Sequence, residues 1–157
     1  MFIFTARLTR GRIAAGVAAA ALLCGAALTA AGLLGSRGVA ASSAVSPEHI
    51  QTNEDRVAYL TSYGWQVSPD PVAVEELLLP ETFEGAYQEY ADLQASQGFD
   101  LTAYRGKRVK RYTYTVANYP TGEQGIQANL LLYRDTVVGG DICSPQLDGF
   151  LHGLAMP

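Results

Sequence analysis

Ile13 to Ser36 is a run of 24 residues without a charge, bracketed by Arg12 and Arg37. A run of about 20 apolar residues suffices to cross the hydrocarbon core of a bilayer as a helix. Arg7, Arg10 and Arg12 precede it, and the first acidic residue of the chain is Glu48. Because basic flanks stay on the cytoplasmic side, the pattern predicts an internal amino terminus and an exported acidic portion. The chain then divides into a cytoplasmic basic lead (1–12), a transmembrane or signal-anchor segment (13–36), a linker of small and polar residues (37–47) and one extracytoplasmic domain (48–157), of a size that suits a single core. Two processing outcomes stay open. Val39-Ala40-Ala41 offers small residues to a signal peptidase. The length of the run favours an uncleaved anchor, since the apolar region of a signal peptide is usually about 7–15 residues. Cys24 follows Leu23 in mid-run, not the small residue that lipoprotein processing requires. The expected localisation is a single-pass protein of the cell membrane whose first partner is the bilayer around 13–36.

Residues 48–157 hold seven basic and 15 acidic side chains, a formal charge of −8. That balance argues against nucleic acid as a partner. Within this part, Thr52 and Asp55 have the spacing of a helix cap with a reciprocal acid, and Val57, Leu60 and Tyr63 give a short apolar face that Gly64 ends before Trp65. Val72–Leu79 reads as a partly covered or edge strand between prolines. A second helix is expected to start near Thr82, with Phe83, Ala86, Tyr87, Tyr90 and Leu93 or Gln94 at helical spacing and Gly98 as its stop. From Lys107 the period becomes two. Arg108, Lys110, Tyr112, Tyr114 and Val116 share one face, and Val109, Arg111, Thr113, Thr115 and Ala117 the other. Ile126, Ala128, Leu130 and Leu132 alternate in the next strand, and Arg134-Asp135-Thr136 turns into Val137-Val138. The expected fold class is α+β: a small single-domain sandwich with two helices on one face of a mainly antiparallel sheet that ends in a three-stranded meander. The expected core comprises Val57, Leu60, Trp65, Phe83, Tyr87, Tyr90, Tyr114, Val116, Leu130 and Leu132.

Two clusters could carry chemistry. Arg105, Lys107, Arg108, Lys110 and Arg111 supply five of the seven positive charges of the domain. On a strand they divide between two faces, which suits solvated side chains beside acidic neighbours. As a functional patch they would contact an anion, a phosphate headgroup or an anionic polymer. The second cluster is Gly139-Gly140-Asp141-Ile142-Cys143, followed by Asp148 and His152. Cys143, His152 and Asp148 have the residue types of a nucleophile, a base and an orienting acid. A buried, unreactive Cys143 in a strand ended by Ser144-Pro145 explains the same residues. The spacing of His49, His152 and Cys143 gives no metal-ligand set, and neither a phosphate loop nor a cofactor motif is present.

The stretches TNEDRVAYLTSYGW (Thr52–Trp65), SQGFDLTAYRGKRVKRYTYTVANYP (Ser96–Pro120), NLLLY (Asn129–Tyr133) and GGDICSPQLDGFLHG (Gly139–Gly153) resemble the DUF4830 family of bacterial proteins of unknown function. The likeness covers about residues 52–154. It implies a small extracytoplasmic α+β domain behind one membrane segment. It brings no activity, ligand, cofactor or catalytic residue with it.

Together these features point to a membrane-tethered, non-enzymatic interaction domain whose partner is an envelope protein or an anionic polymer. The rival reading is an exported thiol-dependent enzyme using Cys143 and His152.

Overall fold

The computed structural model describes residues 45–157. The expected basic lead, membrane segment and most of the linker lie outside them. Among the described residues, no helix is long and apolar enough to cross a membrane.

Local sequence signals set both ends of the first helix, α1 (Asn53–Ser62). Thr52 accepts the Asp55 N–H at 3.1 Å, and the Asp55 carboxylate accepts the N–H groups of Thr52 and Gln51 at 2.8 and 3.0 Å. Those backbone donors, Thr52 foremost, hold the Asp55 carboxyl below its ordinary value. At the other end, Gly64 takes φ 94°. Its N–H reaches Thr61 O at 2.9 Å while that of Trp65 reaches Leu60 O at 3.3 Å, the paired bonds of a Schellman stop. Trp65 is thereby turned back into the core, fully buried, with Nε1 donating to Leu154 O at 2.6 Å.

Five strands follow one another across a single antiparallel sheet: β1 (Ala73–Leu78), β2 (Arg108–Thr115), β3 (Gln127–Tyr133), β4 (Thr136–Cys143) and β5 (Leu151–His152). The expected meander is present and extends by one strand on each side. β1 is an edge strand, one of the two alternatives expected for it. Arg134 and Asp135 form the tight β3–β4 turn, with Arg134 at φ 57°.

The helices do not share a face. α1 packs through Tyr59 and Leu60 on Tyr114, Ala128, Leu130 and Ile142. The second helix, α2 (Ala86–Ser96), packs through Ala91 on the cluster of Val109, Leu131 and Val138. Successive strand residues point to opposite sides, so Leu130 and Leu131 belong to different layers and the sheet lies between the helices. The physical reason is β3. Leu131 joins the nominally polar set of alternating residues, and Ala128–Leu132 is buried without a break. An apolar residue on each side demands a cover on each side.

The second helix also starts later than Thr82 suggested. Its N-cap is Gly85, at φ 55° and without a side-chain cap. Phe83 lies ahead of the helix yet is buried. Tyr87 falls in the first turn, before the stretch that the sheet covers, and is 42% exposed; it is not a core residue. Val57 and Tyr90 are partly buried against the two clusters. The stop is as expected. Gly98 N–H bonds Ala95 O and Phe99 N–H bonds Gln94 O, both at 3.0 Å.

Gln94 of α2 and Gln97, its C-cap, finish the outer edge of β4. Gln94 Oε1 accepts the Gly140 N–H at 2.8 Å, and Gln97 Nε2 donates to Gly140 O at 3.0 Å. Gln97 Oε1 also accepts the Leu154 N–H at 2.6 Å. Gly139 permits this approach, and Gly140 the close approach of β3 and Leu154. A Cβ on Gly139 would sit 2.9 Å from Gln94 Oε1, and one on Gly140 would sit 2.9 Å from Asn129 O.

Leu130, fully buried at the centre of the sheet, measures the α1-side core. Leu130→Ala is expected to cost about 2–5 kcal/mol in denaturant unfolding. A loss below about 0.5 kcal/mol would match a surface position and contradict this packing.

Candidate functional site

The structure divides the basic cluster as strand alternation requires. Arg111 points to the α2 side, where it makes a two-pronged contact with Glu75. Arg105 lies over the Phe83 ring, 6.0 Å from its centroid. Arg108 and Lys110 share the α1 side with Tyr112, and Arg108 Nη1 pairs with Glu76 Oε1 at 3.1 Å. Among the described residues, Arg108–Glu76 and Arg111–Glu75 are the ion pairs. The cluster is therefore not one stripe, and only Arg108 and Lys110 of its five members face the same hollow.

That hollow is a depression of about 430 Å³ lined by Gln51, Glu76, Arg108, Lys110, Tyr112, Leu132, Arg134 and Asp135. Register assembles it. Lys110 lies opposite Leu132, so the β3–β4 turn brings Arg134 and Asp135 alongside. Tyr112 is the shared wall. On it rests Arg56 of α1, its guanidinium carbon 4.0 Å from the ring centroid. Arg56 is only 8% exposed. Its Nε donates to Tyr114 Oη at 3.0 Å and its Nη1 to Gln51 O at 3.3 Å. Sequence reasoning missed both Arg134 and Arg56. The turn signal marked Arg134 as a loop residue, and nothing in a helical repeat marks a polar position as buried. A second groove, about 640 Å³, runs over the outer side of α1 with Glu54 as its one ionisable side chain.

The C-terminal cluster comes apart. β4–β5 pairing sets Ile142 opposite His152 and Cys143 opposite Leu151, so Cys143 and His152 project from opposite sides of the sheet. His152 Nδ1 donates to Gly153 O at 2.7 Å, which leaves Nε2 to accept from Tyr119 Oη at 3.2 Å. Its ring stacks on Phe150, with 5.5 Å between centroids. Asp148 is exposed in the loop between the strands. No Cys143–His152–Asp148 constellation forms.

What surrounds Cys143 is a polar row across the sheet, Thr113–Asn129–Asp141. Thr113 Oγ1 donates to Asn129 Oδ1 at 2.7 Å. Asn129 Nδ2 donates to Asp141 Oδ1 at 2.8 Å and to Cys143 Sγ at 3.4 Å, and Tyr90 Oη donates to Asp141 Oδ2 at 2.7 Å. Burial raises the Asp141 carboxyl above its ordinary value against the pull of these donors. Burial and then the Asp141 charge raise the Tyr90 hydroxyl. Burial and then the same charge raise the half-buried Cys143 thiol. Each acid of the group is raised above its ordinary value, so the Cys143 thiolate is disfavoured. The row pins α2 to the sheet through Tyr90. Among the described residues, no group of three or more histidine, cysteine or acidic side chains could hold a metal ion.

Two measurements follow. Iodoacetamide labelling of folded Cys143 is expected to have a pH midpoint above that of a free thiol and to shift downward in Asp141→Asn; an unchanged midpoint would remove the carboxylate as a cause. Because the folded carboxyl of Asp141 is raised, its contribution to stability is fully present below the unfolded carboxyl value and is lost as pH rises through the folded one. Asp141→Asn should therefore gain stability relative to the parent as pH rises from acid to neutral, read by thermal unfolding at each pH. A constant difference would contradict the shift.

No curated protein matches the chain, and no solved structure matches it. The sequence model of the family described as "Domain of unknown function (DUF4830)" matches residues 59–142. The matched span runs from α1 to the penultimate residue of β4. It takes in most of the cationic depression and Asp141, and it ends one residue before Cys143. With 84 of the 157 residues matched, the chain belongs to the DUF4830 family.

Proposed function

We propose that this chain is a membrane-tethered, extracytoplasmic interaction domain that binds an anionic group of an envelope partner in the depression formed by Arg108, Lys110 and Arg134. The carrying observation is the local charge. Three cations and two carboxylates line the hollow, on a domain whose formal charge is −8, and Arg56 lies behind the Tyr112 wall. Glu76 is engaged by Arg108, and neither Lys110 nor Arg134 has a carboxylate within ion-pair distance among the described residues. A concave surface with convergent polar groups is the usual form of a ligand site. Burial raises the Cys143 thiol, and His152 projects from the opposite side of the sheet, which favours this reading over a thiol-dependent enzyme.

Binding of the full chain to an anionic envelope polymer such as lipoteichoic acid, measured at two salt concentrations, tests the site. Arg108, Lys110 and Arg134 changed together to Ser should weaken binding by about tenfold, at about 0.2–1 kcal/mol per exposed charge pair. Lys107 and Arg111 changed to Ser should have little effect. Equal losses in both variants, or none, would discard the depression.

The tether is tested separately. Protease added to intact protoplasts is expected to digest residues 48–157 and leave a short membrane-bound fragment. A soluble product beginning near Ser42 would instead establish cleavage.

A further inference from the structure

The two edges of the sheet are finished differently. On the far side of β4, the short β5 and the amides of Gln94 and Gln97 occupy the backbone groups. On the near side, β1 ends the strand order, and among the described residues nothing pairs with its outer edge. The Leu79 N–H donates to Lys107 O at 2.9 Å, in step with Leu78 opposite Arg108. Bonding direction alternates along an antiparallel strand, so the backbone groups of Glu75 and Leu77 point to β2 and those of Val74, Glu76 and Leu78 point outward. Leu78 is 62% exposed. Edge strands are commonly protected by charge, but both glutamates of this edge are already engaged by Arg111 and Arg108.

We propose that β1 pairs antiparallel with β1 of a second copy, about a two-fold axis at Leu77. In this register Glu76 and Leu78 of one copy exchange backbone bonds with Leu78 and Glu76 of the other. Leu77 meets its own equivalent on the α2 side, where it already packs against the second core. Registers centred on Glu75 or Glu76 would set identical carboxylates opposite each other, which destabilises a strand pair. Pro80, without an N–H, ends the pairing opposite Val74. The contact is two-fold and uses the same β1 edge of both copies, so it closes at two.

The test uses the full chain in detergent micelles with Cys24 and Cys143 replaced by Ala. Leu77→Cys in this background is expected to cross-link into a dimer under mild oxidation. Directly opposite Cα atoms of a non-hydrogen-bonded pair lie about 4.5 Å apart, within disulfide reach. Val74→Cys should not cross-link, because the two copies of that position lie about 20 Å apart in this register. Equal yields at both positions, or no cross-link at Leu77→Cys, would overturn the pairing. Leu78→Pro deletes an outward N–H at a position where an edge strand tolerates proline. It should keep the parent circular dichroism while light scattering falls from dimer to monomer mass. A parent chain that is monomeric throughout, including one whose edge takes up an added extended peptide, refutes the second copy. So does a folded Leu78→Pro chain that stays dimeric.

Discussion

A strand buried on both faces needs an apolar layer above and below it and a backbone partner on each side. β3 is such a strand, and its requirements organise the domain. Its edges are met by β2 and β4, joined to it by a loop and a tight turn. Its faces are met by α1, which covers Leu130, and by α2, which covers Leu131. Asn129 is the one polar residue in the buried stretch. Its amide is satisfied by Thr113, Asp141 and Cys143, as a buried polar side chain must be. The polar row thus exists to keep one central amide paired, and the raised Asp141 carboxyl is a cost of building it.

The same accounting applies at the edge of β4. Where β5 stops, the Gly140 N–H and C=O would be left without partners. Gln94 and Gln97 supply an acceptor and a donor in place of another strand. The substitution is imperfect, since Gln94 Nε2 is buried without a partner, a loss of about 1–3 kcal/mol. The gain is a docked α2 and, through the Gln97–Leu154–Trp65 chain of bonds, a C-terminal segment fixed beneath α1. Gly139 follows from this close approach, while Gly140 makes room for the β3 backbone at Asn129 and for the Leu154 side chain, so the pair is a packing device.

Features set within a few residues were legible in the sequence. The Thr52–Asp55 cap, the Gly64 and Gly98 stops, the return of Trp65 and the alternation of β2 and β3 all depend on local geometry. Features set by register were not. The separation of Cys143 from His152 depends on whether Cys143 or its neighbour Ile142 faces His152, and a slip of one residue reverses the outcome. The meeting of Arg134 with Lys110 depends on the β2–β3 pairing. The placement of the helices on opposite faces turned on Leu131, a single apolar residue in a set whose other members read as polar. Tyr87 failed because helical spacing gives a face but not the length of helix that the sheet covers.

Arg56 separates the depression from an ordinary cluster of surface cations. Arg108 is 71% exposed at its side chain, and charges in such positions are screened over about 8 Å at physiological salt. Ordering their long side chains around a ligand also costs rotamer freedom. Arg56 is subject to neither effect to the same degree. It is buried, held by Tyr114 and Gln51, and seated on the Tyr112 ring, an arrangement in which a desolvated cation gains about 2 kcal/mol. Among the described residues, no carboxylate pairs with it. Its position is fixed by these contacts, and it touches Tyr112 and Gln51, which line the hollow. An anion bound there would therefore lose the share of its attraction due to Arg108, Lys110 and Arg134 as salt rises and keep more of the share due to Arg56.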